Sequence, residues 1–538
     1  MKSVFAKALR DSRRAFAIVV GFLLVVQLTG GAAVASAFGT VATRQQAAAL
    51  ATGMPPIIQG LLGPAVGLTT LGGFIEWRYA VMLALLMPIW SILALSGTLA
   101  GEAANGSLEL IATTGISRRR LALEKVGGHL VAVWLAMALL AVITWLTCRL
   151  FATLPGDEIP ISAALGYGVL GGLLILSPGA IAFATGPFLG RGASAGLAGL
   201  VMVLAYFATS FRASIPVFDA IAPLSWFTWV AGHVPLAGQT DWPALAALAA
   251  LVGVLLVAGV VAFERRDVGS PIKIRSPHLP GFLVGLREPT GRAFGERLPA
   301  AAIWGLALGL YVLVVATAAP AMADLFHKLP AIETMVRLVY PDMDITSVGG
   351  TLQLVFVSFG MIVFGFAAAT LVAGWASDET SGRLEVLLST PWSRARWLIR
   401  SGIGTYVAIV LAAAIVAVAA GVGAANQGSE AMTPAVGSLV FALYGVALAG
   451  IGIAVGGWFR SSWAAPAVIL VTVGSYLLAL FATPLHWPSW VLDLALSEHY
   501  GRPLVGTWDP VGIVASLALA IGGLAIGAAG LARRDVRG

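Results

Sequence analysis

Long apolar runs are the feature that most limits what this sequence can fold into. Twelve of them contain no Asp or Glu and are separated by segments that contain the acidic residues. A helix of about 20 apolar residues crosses the hydrocarbon core of a bilayer, where only helices and closed barrels satisfy their own backbone. We therefore predict an all-α polytopic membrane protein with about 12 transmembrane helices. The runs lie near residues 15–38, 79–101, 126–148, 163–188, 193–211, 244–263, 299–319, 352–376, 401–424, 435–457, 463–484 and 510–532.

Charged residues are too scarce for a soluble protein. Only 11% of the 538 residues are charged, 59% are hydrophobic, and the mean hydropathy is +0.92. Soluble domains carry about 25% charged residues, because a polar surface must enclose the apolar core. The single cysteine, Cys148, excludes an intramolecular disulfide and a Cys-rich metal site. We expect no metal site in this chain.

The net charge of +7 indicates topology rather than nucleic-acid binding, because Lys and Arg accumulate in the cytoplasmic loops of membrane proteins. If the N-terminus is cytoplasmic, 25 of the 32 basic residues lie inside. We therefore predict that both termini face the cytoplasm and that the chain binds membrane lipids but no nucleic acid. The basic residues left outside are Arg44, Arg78, Arg149, Arg212, Lys328, Arg337 and Arg502.

An internal repeat divides the chain into two parts. The segment GSLELIATTGISRRR at 106–120 recurs as GRLEVLLSTPWSRAR at 382–396, an offset of 276 residues. FERRDVG at 263–269 likewise resembles LARRDVRG at the C-terminus. We predict two fused six-helix halves with pseudo-twofold symmetry, at 1–268 and 281–538, joined by a polar Pro- and Ser-containing linker at 269–280. Each half opens with a basic amphipathic segment, at 1–14 and about 281–297.

The repeated segment is the most informative loop of each half. Its Leu-Glu-Leu-Ile and Leu-Glu-Val-Leu cores are apolar around one carboxylate, Glu109 or Glu385, which suits a short helix that presses against another protein. Ser117 and Ser393 are placed to cap the next helix, and the arginine after each serine could pair with an acid on a partner. In the alternative reading, the glutamates are solvated loop charges and the arginines only set topology.

The pattern E...G.LE.L..T..SR.R, at 102–120 and, with Asp378 first, at 378–396, resembles the signature of ABC-2 type transport permeases. The duplicated, Gly- and Ala-rich chain resembles in particular the actinobacterial polyketide-antibiotic (tetronasin-type) and multidrug exporter group. The resemblance implies type V exporter-like halves, each with an elbow helix, at 1–14 in the first. The loops at 102–122 and 378–398 would be coupling helices for two ABC ATPase subunits. The first loop departs from the pattern, with Gly115 where the second loop has Pro391, so we expect the two docking sites to be unequal.

The family resemblance also implies site residues, partners and a location. Substrates would be amphiphilic drugs or polyketide-like antibiotics that leave a bacterial cell through its plasma membrane, with ATP and Mg²⁺ bound by the partner ATPase. The residues implied in docking are Glu102, Gly106, Glu109, Ser117, Arg118, Asp378, Gly382, Glu385, Ser393 and Arg394.

The same resemblance implies that the second and fifth spans of each half line the substrate path. Aromatic and Met side chains there suit large apolar compounds, although aromatic residues in membrane helices more often serve packing. The candidate contacts are Met87, Trp90, Tyr206, Phe207, Phe359, Phe364, Tyr476 and Phe481.

The energy source is not found in this chain. None of the five lysines follows a glycine, so the Gly-Lys step of a P-loop is missing, and we predict neither a catalytic site nor a cofactor. An ion-coupled 12-helix drug antiporter is the first alternative, but the twelve predicted spans contain no Asp or Glu for a proton relay, and only His129 is ionisable there. A membrane-embedded enzyme is the second, although the acids and histidines of the outer loops match no ligand motif.

A second, weaker repeat lies in the outer loops. TDWPA at 240–244 resembles TWDPV at 507–511, and several tryptophans lie close by. Trp residues favour the membrane interface, so these loops are predicted either as interfacial caps or as an outer gate.

Overall fold

The computed structural model describes residues 4–63, 65–101, 116–265, 288–328, 344–389, 391–482 and 488–535. Contacts divide the chain into two compact units, Met1–Ser276 and Pro277–Gly538. The boundary lies within the sequence-predicted linker, whose residues are outside the described ranges.

The first unit consists of helices joined by short turns. Its π-helical turns cover Met82–Leu86 and Gly97–Gly101, and its 3-10 turns cover Ala222–Leu224 and Pro235–Ala237. Its helices are α1 (Val4–Ala37), α2 (Val41–Thr52), α3 (Pro56–Leu62), α4 (Leu71–Val81), α5 (Pro88–Ser96), α6 (Arg118–Leu150), α7 (Ile161–Ser210), α8 (Pro216–Ile221), α9 (Trp226–Trp229) and α10 (Trp242–Glu264).

The second unit has the same character and adds one small hairpin. Strands β1 (Gly501–Arg502) and β2 (Thr507–Trp508) pair antiparallel, with Gly501 opposite Trp508. A π turn covers Leu352–Phe356, and 3-10 turns cover Ser461–Trp463, Leu496–Glu498 and Pro503–Val505. The helices are α11 (Pro289–Lys328), α12 (Val348–Thr351), α13 (Val357–Thr380), α14 (Arg383–Leu388), α15 (Arg394–Asn426), α16 (Met432–Gly437), α17 (Val440–Trp458), α18 (Ala464–Ala482), α19 (Ser489–Leu492) and α20 (Pro510–Arg533).

Eleven helices within the described residues are long and apolar enough to cross a membrane, and they coincide with the predicted spans. The prediction of an all-α polytopic membrane protein is confirmed. The predicted fourth and fifth spans lie together in the 50-residue α7, which is interrupted at Gly190 (φ 75°, ψ 176°). Only glycine adopts this conformation readily. The corresponding spans of the second unit are the separate helices α17 and α18.

The basic segment at the start of each unit is continuous with a spanning helix. Residues 4–14 are the first turns of the 34-residue α1. In the second unit, α11 begins at Pro289 and continues to Lys328, with Pro299 and Pro320 inside it. Residues 281–287 lie outside the described part of the chain.

Small residues allow the spanning helices to approach closely. A Cβ atom added to Gly128 of α6 would lie 2.7 Å from the Cβ of Ala8 in α1. In the second unit, a Cβ on Gly530 of α20 would lie 2.6 Å from the Cα of Trp458 in α17. Membrane helices associate through such contacts, because lipid provides little hydrophobic driving force for association.

Candidate functional site

The short helix α14 lies in the loop that the sequence predicts as a docking element. The turn before it depends on Gly382, whose φ of 71° is in the left-handed region. Leu384 is fully buried and anchors the helix, whereas Glu385 is exposed and Val386 is 71% exposed. The helix therefore presents a carboxylate and an aliphatic side chain to its surroundings.

Ion pairs hold the N-terminal side of this loop to α11. Asp378, at the end of α13, is buried and lies 3.2 Å from the Nη2 of Arg292. The same carboxylate lies 3.8 Å from the Nε of Arg383, and Arg292 also pairs with Glu296 at 3.0 Å. The structure thus places Asp378 in an internal network, where its carboxylate fixes the loop.

A second network ties the loop to the C-terminal end of α20. Arg534 forms a two-pronged ion pair with Glu379, with 2.6 Å between Nη2 and Oε2, and donates through Nε to the carbonyl of Gly457 at 2.9 Å. Arg394 donates to the carbonyl of Arg534 at 2.7 Å. Sequence reasoning missed Glu379 and Arg534 as partners, although the repeated Arg-Arg-Asp element pointed to the second of them.

The predicted N-caps of the following helices are present. Ser393 accepts a hydrogen bond from the backbone N–H of Arg396, and Ser117 accepts one from Arg120, each at 3.3 Å. Glu102, Gly106 and Glu109 lie outside the described residues. The docking role of both loops stays a prediction.

The predicted substrate-path residues mostly pack against aromatic neighbours of their own unit. Trp90 meets the ring of His129 edge-on at 5.3 Å, and Tyr206 meets Phe227 at 5.6 Å. Met87 and Phe364 are buried, Tyr476 is half-buried, and the side chain of Phe481 lies outside the described part. Further ring contacts are Phe207–Phe211, Tyr311–Phe359 and Phe364–Phe441.

The weak outer repeat is a matched pair of turns. In the first unit, Val234 bridges to Gln239 around the turn Pro235–Ala237, which Gly238 closes at φ 82°. In the second unit, 268 residues later, β1 and β2 flank Pro503–Val505, which Gly506 closes at φ 88°. We call these turns the outer caps. Each is followed by an aspartate, Asp241 or Asp509, that caps the next spanning helix.

Each outer cap sits on the first turn of a spanning helix. The backbone N–H of Leu236 donates to Glu76 in α4 at 2.8 Å, and that of Leu504 donates to Gln353 at 3.2 Å. Gly72 and Gly349 permit this approach, since a Cβ on either would lie within 2.8 Å of the cap carbonyl. The repeated Gly-Gly pairs at 72–73 and 349–350 are the sequence signal of this close approach.

Glu76 corrects one expectation drawn from the sequence. The predicted spans contained no acidic residue, but the structure includes Glu76 in a candidate span, Leu71–Leu99. The prediction began the span at residue 79. In the structure, the Thr70 side chain accepts a hydrogen bond from the backbone N–H of Gly73 and caps α4, so the helix begins earlier.

A buried ion pair holds the first outer cap region. Arg44 of α2 and Asp157 are 1% and 0% exposed, and their second contact, between Nη2 and Oδ2, measures 2.8 Å. Asp157 also accepts from the backbone N–H groups of Thr153, Leu154 and Leu71, each at 2.9 Å. Burial by itself raises the pKa of the Asp157 carboxyl, but hydrogen bonds from Arg44 and these N–H groups lower it to about 2.

Known proteins similar to this chain are multidrug efflux permeases. Residues 286–531, most of the second unit, match a family model described as "Multidrug efflux system permease Rv1217c, C-terminal domain". The chain is also 28% identical over 327 residues to the "Multidrug efflux system permease protein Rv1217c" of Mycobacterium tuberculosis (strain ATCC 25618 / H37Rv). That alignment covers 59% of this chain and 57% of the relative.

Proposed function

We propose that this chain is the transmembrane permease of a bacterial ABC-type drug exporter powered by separate ATPase subunits. The observation that carries the proposal is α14, whose exposed Glu385 and Val386 project from a loop that is otherwise held by ion pairs. The similarity to multidrug efflux permeases over residues 286–531 supports the export of drugs. Amphiphilic drugs and polyketide-like antibiotics are the proposed substrates, and the plasma membrane, with both termini cytoplasmic, is the proposed location.

The ion pairs around α14 provide a route for force. An ATPase that pushes on this helix meets a loop fixed through Asp378 to α11 and through Glu379 to the end of α20. Because these contacts resist local bending, a displacement of α14 moves the cytoplasmic ends of three spanning helices together. The corresponding loop of the first unit would receive a second ATPase, so we propose two ATPase copies per permease, each with its own ATP and Mg²⁺.

Co-purification with a candidate ATPase tests the docking assignment. Glu109→Arg combined with Glu385→Arg should abolish assembly, because the reversed charges replace the carboxylates at both proposed interfaces. The matched control is Glu158→Arg, which makes the same change at an exposed carboxylate outside the docking loops. If the double variant binds the ATPase as well as the control does, the docking assignment is wrong.

A further inference from the structure

Polar side chains are buried together between α1, α4, α6 and α7 of the first unit. The hydroxyl of Tyr79 donates to the carbonyl of Val26 at 2.7 Å. Tyr167 is 1% exposed and interacts with Gln27, Glu76 and Tyr79. Within the described residues, several buried atoms of this cluster have no hydrogen-bond partner. They are both amide atoms of Gln27, Oε1 of Glu76, the hydroxyl of Tyr167, and the hydroxyls of Thr144 and Thr147.

Glu76 is the acidic member of the cluster, and it is 7% exposed. Its Oε2 accepts from the N–H of Leu236, while its Oε1 is one of the unpartnered atoms. Within the described residues, Glu76 forms no ion pair, because the nearby Arg44 is paired with Asp157. The titratable groups around the cluster are Tyr79 on its own helix, Tyr167 on α7, Cys148 on α6, and His233 beside the cap, which accepts from the N–H of Asp241.

An ionised carboxylate in this position would lack a counter-ion in a medium that cannot solvate it. Burial of an unpaired charge is so unfavourable that the group takes up a proton instead. The protonated acid is then a donor, and the hydroxyl of Tyr167, which interacts with Glu76, is an acceptor in the same cluster. A bound proton therefore provides a hydrogen bond between two atoms that have no hydrogen-bond partner in the described structure.

The second unit shows that the fold itself does not require this acid. Gln353 occupies the position of Glu76 and accepts the equivalent hydrogen bond from its outer cap. Phe356 replaces Tyr79. Val312 replaces Gln27. This equivalence follows from two matching contacts: Gly31 faces Thr147 in the first unit, and Ala316 faces Gly423 in the second. Gln27 and Val312 each lie four residues before the first residue of these pairs. Ala420 and Gly423 replace the two threonines. At these described positions, the second unit keeps the hydrogen bond to the cap and has apolar residues in place of the polar cluster.

We propose that the first unit contains a membrane-buried proton-binding site that the second unit lacks, in which Glu76 takes up and releases the proton. Tyr167 completes the site as the hydrogen-bond partner of the protonated acid, and Gln27 interacts with Tyr167. The proton exchanges with water at the end of the bundle covered by the turn Pro235–Ala237, where Oε2 of Glu76 meets the backbone. The reaction is the reversible protonation of one carboxylate, and no other reactant is needed.

Infrared difference spectroscopy of the purified full-length chain tests the site. The wild type should show the carbonyl stretching band of a protonated carboxylic acid at neutral pH, shifted in D₂O and lost reversibly at alkaline pH. Glu76→Gln should remove that band. The fold should persist, because the amide can still accept from Leu236 as Gln353 does from Leu504. Glu498→Gln, which removes an exposed carboxyl of the second unit, should retain the band.

Two results would overturn the proposal. One is an acid band of unchanged amplitude in Glu76→Gln, which would assign the proton to another residue. The other is a wild-type spectrum without a pH-sensitive acid band, which would leave Glu76 a purely structural acceptor for the cap. Neither result bears on ATPase docking, because the spectra are recorded without the partner.

Discussion

At the scale of single residues, Arg44 and Asp157 of the first unit form a buried polar network whose partners are inside the protein. Arg44 donates to Phe38, Thr153 and Asp157, and the Asp157 carboxylate accepts from three backbone N–H groups. A buried pair of this kind contributes little over an apolar replacement, but removing one partner leaves an uncompensated charge. The first outer cap region therefore depends on both residues together.

Asp157→Asn should destabilise the protein by about 3–5 kcal/mol, because it leaves the Arg44 guanidinium buried and unpaired. The Asp157 pKa, about 2 when folded, lies below its value in the unfolded chain. Its stabilisation is therefore complete above about pH 4 and lost as the pH falls toward 2. Unfolding in detergent, followed from neutral to acidic pH, measures both effects. The interpretation fails if Asp157→Asn retains the acid sensitivity of the wild type.

The substitutions Glu76→Gln and Gln353→Glu, beneath the two outer caps, should change the free energy of unfolding unequally. Glu76→Gln keeps the acceptor for Leu236 and should change the free energy of unfolding by less than about 0.5 kcal/mol. Gln353→Glu keeps an acceptor for Leu504 but leaves the second oxygen of a half-buried carboxyl beside Phe356 and Val312, without the partner that Tyr167 provides in the first unit. It should destabilise by about 1–3 kcal/mol. Equal effects of the two substitutions in detergent unfolding experiments would contradict the difference in polarity between the two units.

At the scale of elements, the position of α14 depends on one glycine. Gly382→Ala introduces a side chain at φ 71° and should cost about 1–2 kcal/mol of local stability. Because α14 is the proposed docking helix, ATPase affinity should fall by about tenfold if a comparable free energy of about 1.4 kcal/mol is lost on binding. Titration of labelled permease with the ATPase measures this affinity.

Gly428→Ala is the matched control for Gly382→Ala. Gly428 has a φ of 69° and no atom that would meet a new Cβ within 4 Å, and it lies in a different loop. Gly428→Ala should lose as much stability as Gly382→Ala but bind the ATPase with the affinity of the wild type. If both variants lose affinity equally, global destabilisation rather than the shape of α14 explains the result.

The helices could be predicted from the sequence, and their tertiary contacts could not. Runs of apolar residues locate spanning helices because lipid imposes the same requirement on each of them. The partners of Asp378 and Glu379 were not predictable, because they come from α11 and α20, distant in sequence. Glu76 was missed for a local reason: the cap at Thr70 extends α4 beyond the apolar run.

At the scale of the whole molecule, the duplicated halves have diverged in polarity while keeping their architecture. Both retain the serine caps after the repeated loop, the outer caps and the close approach of glycine to the cap carbonyl. Among the described residues, the Arg44–Asp157 pair and the acid Glu76 belong to the first unit, and the ion pairs around α14 belong to the second. This divergence is consistent with different contributions of the two halves to one transport cycle.

The contact between Glu379 and Arg534 should couple ATPase binding to movement of the second unit. Glu379→Arg and Arg534→Glu should each reduce drug-stimulated ATPase turnover of the reconstituted complex by about tenfold, equivalent to about 1.4 kcal/mol. The double variant restores an ion pair of reversed polarity and should recover most of the loss, since contacting residues couple by 0.5–3 kcal/mol. Recovery will be incomplete, because Arg534 also donates to the carbonyls of Gly456 and Gly457. Additive losses in the double variant would show that the two residues act separately and that force reaches α20 by another route.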